Sequence, residues 1–368
     1  MKRRLALLLA AATTISLMGC ATSNQKAAET TPAAQTQEAK AETEKAETTE
    51  AAEEAESEKA EPETGGYAVQ PRSIKDRTLK VGLIPVTMNT AYTMTINGAK
   101  KQIEDKGLDI ELLVQAPASN TSTITEQGNI MESMIQQGVD AIALATESDN
   151  SMLPYLRAAA EADIPVFLFN MTELDKDNIY YVSSIGYDQY NAGLEIGKYV
   201  AEHYGDKEVK LAILEGYAGI VNTMRIDGFK EGIQGKDNIQ IVASQTADWT
   251  REKGQSVTES ILTSNPDINL IFGDYDEMVL GGLVSIKERG LLDQIDTIGY
   301  GCTKDGVAAI ENNEMTATID VGEYGTGIDI IDAVNDFCIE GKSVEKYQPA
   351  SKVYDKNNIG ELDRVIFE

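Results

Sequence analysis

The stretch LKVGLIPVTMNTAYTMTINGAKKQI, residues 79–103, decides the fold class. It opens with an almost continuous apolar run, Leu79 to Ile84, which is typical of a strand buried on both faces. Tyr92, Ile96 and Ala99 then recur at the spacing of one face of an amphipathic helix. A buried strand followed at once by a helix is the repeating unit of a parallel α/β sheet.

The same alternation continues along the chain. Further strands are predicted at 110–114, 139–144, 165–169, 180–182, 209–214, 239–243, 270–272, 316–321 and 352–354. Helices are predicted between them, including 188–203, one with Asp276 as its N-cap, and 324–339. The pattern resumes after residue 182, so we predict two doubly wound α/β lobes with parallel sheets.

Ligands of such sheets bind beyond the carboxyl ends of the strands. The segments at those positions are 85–92, 145–149, 170–171, 216–225, 249, 274–276, 300–301 and 320–321. Candidate binding residues are therefore sought in these segments.

Composition excludes several classes of function. The 368 residues include 32 Lys and Arg against 60 Asp and Glu, a net charge of −28, and a surface this negative repels phosphate backbones. We therefore expect no nucleic-acid partner. His203 is the one histidine, which argues against a metal site, zinc hydrolases and Ser-His-Asp enzymes. No dinucleotide-binding or P-loop glycine pattern occurs, so no cofactor is predicted.

The three cysteines, Cys20, Cys302 and Cys338, are too few and too scattered for a disulfide framework or a zinc site. We predict that Cys302 and Cys338 are free thiols.

Residues 1–19 are predicted to be a signal peptide, because a basic start precedes an apolar run too short to span a bilayer. The sequence LMGC at 17–20 resembles the lipobox of bacterial lipoproteins, which implies cleavage before Cys20 and acylation of its thiol. An ordinary signal peptide with a chance cysteine is the alternative. Residues 20–64 are rich in Ala, Glu and Thr and lack aromatic side chains, so we predict a disordered acidic tether.

Four sequence pieces, in register over residues 79–354, carry a family resemblance. They are ASQTADW at 243–249, DEM at 276–278 with Gly281, Asn170 at the end of a strand, and Arg225 just before Gly228-Phe229. Together they resemble the periplasmic sugar-binding proteins of the ribose and galactose type, the type I solute-binding fold of ABC importers. The resemblance implies two lobes joined by a three-segment hinge, with the ligand clamped between them. The implied limits are 77–187 plus 322–348 for the N-lobe and 188–321 plus 349–368 for the C-lobe.

The resemblance assigns two residues of the C-lobe to the ligand. Trp249 matches an aromatic position that stacks on the C–H face of a sugar ring, with core packing as the alternative. Arg225 matches an arginine that donates a fork of hydrogen bonds to ligand oxygens, a task that suits its rigid geometry. A solvated helix charge is the alternative for Arg225.

Four further residues lie where the family has polar or aromatic ligand contacts. Asn89 matches a polar position on the first loop, and Tyr92 a second aromatic position, although Tyr92 also fits the core face of its helix. Asn170 matches galactose-type members. Asp320 lies at the third crossing, where a ligand contact and a carboxylate that caps the hinge look the same in sequence.

Two positions depart from the family pattern. Tyr275 stands where a polar ligand contact is usual, and Gly301 where a carboxylate is expected. These changes imply a less hydrophilic cleft, whose ligand is a deoxy sugar, a polyol, a furanose or another small polar molecule.

These observations predict a lipid-anchored solute-binding protein on the extracytoplasmic face of a bacterial membrane. It captures a monosaccharide or similar ligand and delivers it to the permease and ATPase subunits of an ABC importer, catalysing no reaction. We expect a monomer that meets the membrane only through its anchor. The alternative is a sensor subunit that uses the same fold. A two-carboxylate glycosidase is set aside, because no carboxylate pair occupies strand ends at the spacing this chemistry requires.

Overall fold

The computed structural model describes residues 68–118, 123–146, 148–170, 178–344 and 349–367. The predicted signal peptide, Cys20 and the predicted tether lie outside the described residues. Within the described ranges, no helix is both long and apolar enough to cross a membrane. These residues fold into two α/β lobes, each built on its own sheet, as predicted.

The first lobe is built on five parallel strands in the spatial order β2-β1-β3-β4-β5. The strands are β1 (Leu79–Ile84), β2 (Ile110–Val114), β3 (Ala141–Leu144), β4 (Val166–Phe169) and β5 (Ser183–Ile185). The helices α1 (Thr90–Lys106), α2 (Thr123–Gln136) and α3 (Asp149–Glu161) connect β1 to β4. Every residue of β3 and β4 is buried, which explains why their sequences are wholly apolar.

The second lobe is built on six strands in the order β11-β10-β9-β8-β6-β7. The strands are β6 (Val209–Glu215), β7 (Ile239–Thr246), β8 (Leu270–Gly273), β9 (Asp296–Ile298), β10 (Ala317–Asp320) and β11 (Lys352–Asp355). Its helices are α4 (Gln189–Tyr204), α5 (Ile220–Gly232), α6 (Arg251–Ser264), α7 (Asp276–Glu288) and α8 (Lys304–Glu311). The edge strand β11 runs antiparallel to β10.

The chain returns to the first lobe through α9 (Glu323–Val334), and a π-helical turn extends this helix to Ile339. This helix packs on α1 at a very close distance, since a Cβ atom on Gly327 would lie 1.9 Å from the Thr95 carbonyl oxygen. The chain therefore passes between the lobes after β5, after β10 and before β11. The residue limits predicted for the two lobes stay a prediction.

Two local expectations differ from the structure. The strand predicted at 180–182 lies three residues later in the structure, as β5. The prediction was too early because the residues of β5, Ser-Ser-Ile, carry little apolar signal of their own. The N-cap of α7 is Tyr275 rather than Asp276, which is the first helical residue. The side chain of Asp276 turns into the lobe instead of capping the helix.

Asp276 joins three elements of the second lobe. Its carboxylate accepts hydrogen bonds from the Thr303 backbone N–H (2.7 Å), the Thr303 hydroxyl (3.1 Å) and the Thr318 hydroxyl (2.7 Å). It lies directly against Gly299 and Gly306, where Cβ atoms would be 2.1 and 2.4 Å from its oxygens. Burial raises the pKa of Asp276 to about 7, although these hydrogen bonds act in the opposite direction.

Cys302 and Cys338 are free thiols, as predicted, and both are buried. Cys302 belongs to the core of the second lobe and Cys338 to the core of the first, so they do not face each other. Burial raises the pKa of both thiols, that of Cys338 to about 12, which keeps them protonated and unreactive.

Candidate functional site

A cavity of about 210 Å³ lies between the two lobes, at the carboxyl ends of both sheets. Six of the seven predicted ligand-binding residues line it: Asn89, Tyr92, Asn170, Arg225, Trp249 and Tyr275. Pockets for drug-sized ligands measure roughly 300–1,000 Å³. This cavity is smaller, and its size suits a molecule with a single small ring.

Trp249 presents its indole to the cavity from the loop between β7 and α6. Asp248 and Trp249 both adopt left-handed backbone, with φ of 52° and 60°, a costly conformation that clusters at ligand sites. The indole packs so closely on Gly216 that a Cβ atom there would lie 1.9 Å from Cζ2. The rings of Tyr217 and Tyr275 meet the indole edge-on, with centroids 6.1 and 6.4 Å away. Contacts on several sides thus fix its orientation.

Arg225 projects from α5, and each of its three side-chain nitrogens donates a hydrogen bond. Its Nε donates to Gln189 Oε1 (2.7 Å), its Nη1 to the Asp274 carbonyl (3.1 Å) and its Nη2 to the Tyr187 hydroxyl. The guanidinium carbon lies 4.3 Å from the centroid of the Tyr300 ring. The Arg225 side chain is only 11% exposed, so it is not a solvated helix charge.

The carboxylate of Asp274 lies behind Arg225 and is completely buried. Its Oδ1 is 3.7 Å from Nη1, close enough for an ion pair but too long for a hydrogen bond. Burial raises the pKa of Asp274 well above its usual range, although the charge of Arg225 opposes this shift. Burial also disfavours the charge of Arg225, but Tyr187, Tyr300 and Asp274 together raise its pKa. The guanidinium therefore stays charged in the cavity wall.

Asn170 and Glu323 form the facing wall, which belongs to the first lobe. Asn170 follows β4 with a φ of 58°, and its Nδ2 donates to Glu323 Oε2 (3.1 Å). Thr95 also donates to Glu323 Oε2 (3.1 Å), and Gln189 Nε2 donates to the Asn170 carbonyl (3.1 Å). Both side chains are buried, and burial raises the pKa of Glu323 against the opposing effects of Asn170, Arg225 and Thr95.

Asn89 and Tyr92 each have two roles at the start of α1. Asn89 lines the cavity and is also the N-cap of the helix, since its Oδ1 accepts from the Tyr92 backbone N–H (3.0 Å). Tyr92 lines the cavity and packs edge-on against Phe169, with ring centroids 6.1 Å apart. Both alternatives that the sequence left open for Tyr92, cleft and core, therefore apply.

Asp320 does not line the cavity. Its carboxylate accepts from the backbone N–H of Gly322 (2.9 Å), which has a φ of 76° at the crossing into α9. This geometry matches the alternative in which Asp320 caps the hinge, and a contact of Asp320 with the ligand stays a prediction.

Two hydrogen bonds join the lobes in addition to the one that Gln189 of the second lobe donates to Asn170. The Tyr275 hydroxyl accepts from the Ala91 backbone N–H (3.2 Å), and Glu277 Oε1 accepts from the Thr90 hydroxyl (3.3 Å). Arg251 holds Glu277 through an Nε–Oε2 hydrogen bond of 2.8 Å. We call these two contacts the interlobe bonds. They link the start of α1 to the start of α7.

Among the lining residues to which sequence reasoning assigned no role are Tyr187, Tyr300 and Glu323. Tyr187 follows β5, a strand that was predicted a few residues too early. Tyr300 lay in a strand-end segment, but no role was assigned to it. Glu323 lies beyond Gly322 at the third crossing, and a search extended past the strand end into the first turn of the next helix would have found it.

The cavity combines aromatic faces with firmly held donors and acceptors, an arrangement suited to noncovalent recognition of a small polar ring. Among the described residues, no group of three or more His, Cys, Asp or Glu side chains could hold a metal ion. Two α/β lobes that the chain joins three times, with such a cavity between them, define the class of two-lobed solute-binding proteins.

Comparison with known proteins identifies the family. Residues 81–343 match the family described as periplasmic binding protein domain, and the chain belongs to this family. It is 30% identical over 258 residues to the galactofuranose-binding protein YtfQ of Escherichia coli (strain K12), covering 68% of this chain and 79% of YtfQ. It is 29% identical over 282 residues to the ribose import binding protein RbsB of Bacillus subtilis (strain 168), covering 76% and 88%.

A solved ABC transporter periplasmic solute binding protein from Actinobacillus succinogenes 130z, with bound D-allose, shares the fold. It superposes with a TM-score of 0.71 at 27% identity, over 77% of this chain and 100% of that chain. The predicted fold and the resemblance to sugar-binding periplasmic proteins are thus confirmed. The relatives are named as binding proteins rather than enzymes.

Proposed function

We propose that this protein is a lipid-anchored solute-binding protein that captures a monosaccharide or similar small polar ligand and delivers it to an ABC permease. One observation carries the proposal: the Trp249 indole and the charged Arg225 guanidinium line one cavity with the Asn170 amide of the other lobe. An aromatic plane suits the C–H face of a sugar, and fixed donors and acceptors suit its hydroxyls.

The relatives support a sugar as the class of ligand. Those reported above are named for galactofuranose and ribose, and the solved neighbour holds D-allose. A cavity of about 210 Å³ is in keeping with one such ring. A chain with lobes on both sides of its ligand can present the closed, loaded form to a permease and its ATPase, and a monomer suffices for this task.

We expect the purified protein to show a sugar-dependent thermal shift, because a ligand that binds only the folded state stabilises it. A sugar at 100 times its Kd adds about 2.7 kcal/mol, which is about 4 to 5 °C in melting temperature for a folded part of nearly 300 residues. Differential scanning fluorimetry against sugars, polyols and nucleosides measures it. If none of these compounds raises the melting temperature, the proposed ligand class is wrong.

The proposed anchor rests on LMGC at residues 17–20, followed by the Ala- and Glu-rich segment to residue 64. In the bacterial host we expect Cys20→Ser to abolish acylation and leave the protein unprocessed or released into the medium. Membrane fractionation and intact-mass analysis measure this, with Cys302→Ser as a matched control that keeps the anchor. Mature membrane-bound protein without a diacylglycerol on an N-terminal cysteine would disprove the anchor.

A further inference from the structure

The first-lobe wall of the cavity carries acceptors that the protein leaves partly unused. Glu323 Oε2 accepts two hydrogen bonds of 3.1 Å, whereas Oε1 accepts only a long one of 3.5 Å from Asn170 Nδ2. An ionised carboxylate offers about four acceptor sites, so capacity remains on Oε1. Asn170 Oδ1 has no hydrogen-bond partner among the described residues, and the residue is only 8% exposed.

These two acceptors belong to neighbouring side chains, since Asn170 Nδ2 itself binds Glu323. Both residues line the cavity. A buried acceptor without a donor costs free energy, and this cost is relieved when a ligand supplies the missing donor. The wall is therefore suited to two donors placed side by side.

Among the described residues, Arg225 of the opposite wall donates no hydrogen bond to either acceptor. Arg225 already donates to Gln189, to the Asp274 carbonyl and to Tyr187. Arg225, Asn170 and Glu323 line the same cavity, so a ligand there lies between the guanidinium and the two acceptors. Glu323 also lies in the first turn of α9, where backbone N–H groups favour a negative side chain.

We propose that Glu323, together with Asn170, selects the ligand by accepting hydrogen bonds from two adjacent hydroxyl groups on one edge of its ring. The class of substrate is therefore a ring with a vicinal diol at the edge that meets the first lobe. This inference rests on the proposed function, because it assigns the specificity of the same cavity.

The test begins with the wild-type protein and five probes: D-ribose, D-allose, D-galactose, L-arabinose and myo-inositol. Isothermal titration calorimetry ranks them, and the monodeoxy analogues of the tightest binder are then titrated. We expect two analogues, lacking adjacent hydroxyls, to bind about 10- to 100-fold more weakly than the parent, as for lost hydrogen bonds to a charged group. Equal affinity for every analogue would overturn the proposal without any variant.

Glu323→Gln separates ligand selection from folding. We expect this variant to bind the parent sugar about 10- to 100-fold more weakly and to reduce the discrimination against those two analogues to about threefold or less. Glu288→Gln is the matched control, because it removes the same charge from an exposed site near the far end of α7. Its affinities should equal those of the wild type.

Each outcome has a distinct meaning. If none of the five probes binds the wild type, the proposed function fails, and this inference fails with it. If sugars bind but Glu323→Gln keeps the full discrimination, only the role of Glu323 is refuted. If an amino sugar binds at least about tenfold more tightly than its hydroxyl parent, the partner of Glu323 is an ammonium group and the diol is refuted.

Discussion

Trp249→Ala is expected to weaken binding of the tightest sugar found in the screen by about 30- to 1,000-fold, because truncating an anchor that the ligand buries costs roughly 2 to 4 kcal/mol. The indole is held against Gly216 and Tyr275 and supplies an aromatic face of the cavity. The loss should appear in affinity while the fold persists, since Trp249 is only partly buried. Isothermal titration calorimetry measures this loss without needing the indole as a reporter.

Two variants and one control sharpen this test. Arg225→Ala should cost a comparable factor, since it removes the one guanidinium among the described residues that line the cavity. Gly216→Ala keeps the indole but forces it to move, and should also weaken binding. Val284→Ala, at a 38% exposed site on α7, should leave affinity unchanged. If wild type, Trp249→Ala and Arg225→Ala bind equally well, the ligand lies elsewhere.

Asp276→Ala is expected to lower the free energy of unfolding by about 3 kcal/mol at pH 5, because it leaves buried donors of Thr303 and Thr318 without an acceptor. Urea denaturation of the variant and the wild type measures the difference. A loss below about 1 kcal/mol at pH 5 would show that Asp276 does not fasten the lobe.

The effect of Asp276 should also depend on pH. Burial raises its pKa to about 7, above the ordinary value of 3.8, so the folded protein holds this proton more tightly than the unfolded chain. Its stabilising contribution is therefore present below pH 4 and falls as the pH rises to 7, by up to about 4 kcal/mol. Asp276→Asn cannot titrate, and its stability should vary less than that of the wild type between pH 4 and 8. Parallel pH profiles of the two proteins would contradict the shifted pKa.

Much of the fold could be predicted because buried parallel strands are nearly continuous apolar runs. The predicted limits of β1 and β2 coincide with the observed ones. The position predicted for β5 was three residues too early, because Ser183 and Ser184 are held in the sheet by pairing with β4 rather than by their own propensity. Such pairing is a tertiary effect that no local pattern contains.

The site was partly predictable for a similar reason. Trp249 and Arg225 follow strands, and the geometry of parallel sheets brings such residues to one edge. Glu323 was missed because it reaches the cavity from the start of α9. This helix belongs to the first lobe, whereas the preceding strand β10 belongs to the second. Asp320 looked equivalent in sequence, yet the turn at Gly322 directs its carboxylate to the hinge backbone.

The interlobe bonds set a lower limit on how long a ligand stays bound. We expect a ligand enclosed between the lobes to escape when α1 and α7 separate, and separation breaks the bonds made by Tyr275 and Glu277. Two hydrogen bonds of about 1 kcal/mol each would slow that escape by about 30-fold. If the proposed permease separates the starts of these two helices on docking, it removes this barrier at the moment of delivery, so that slow leakage and fast unloading are compatible in one molecule.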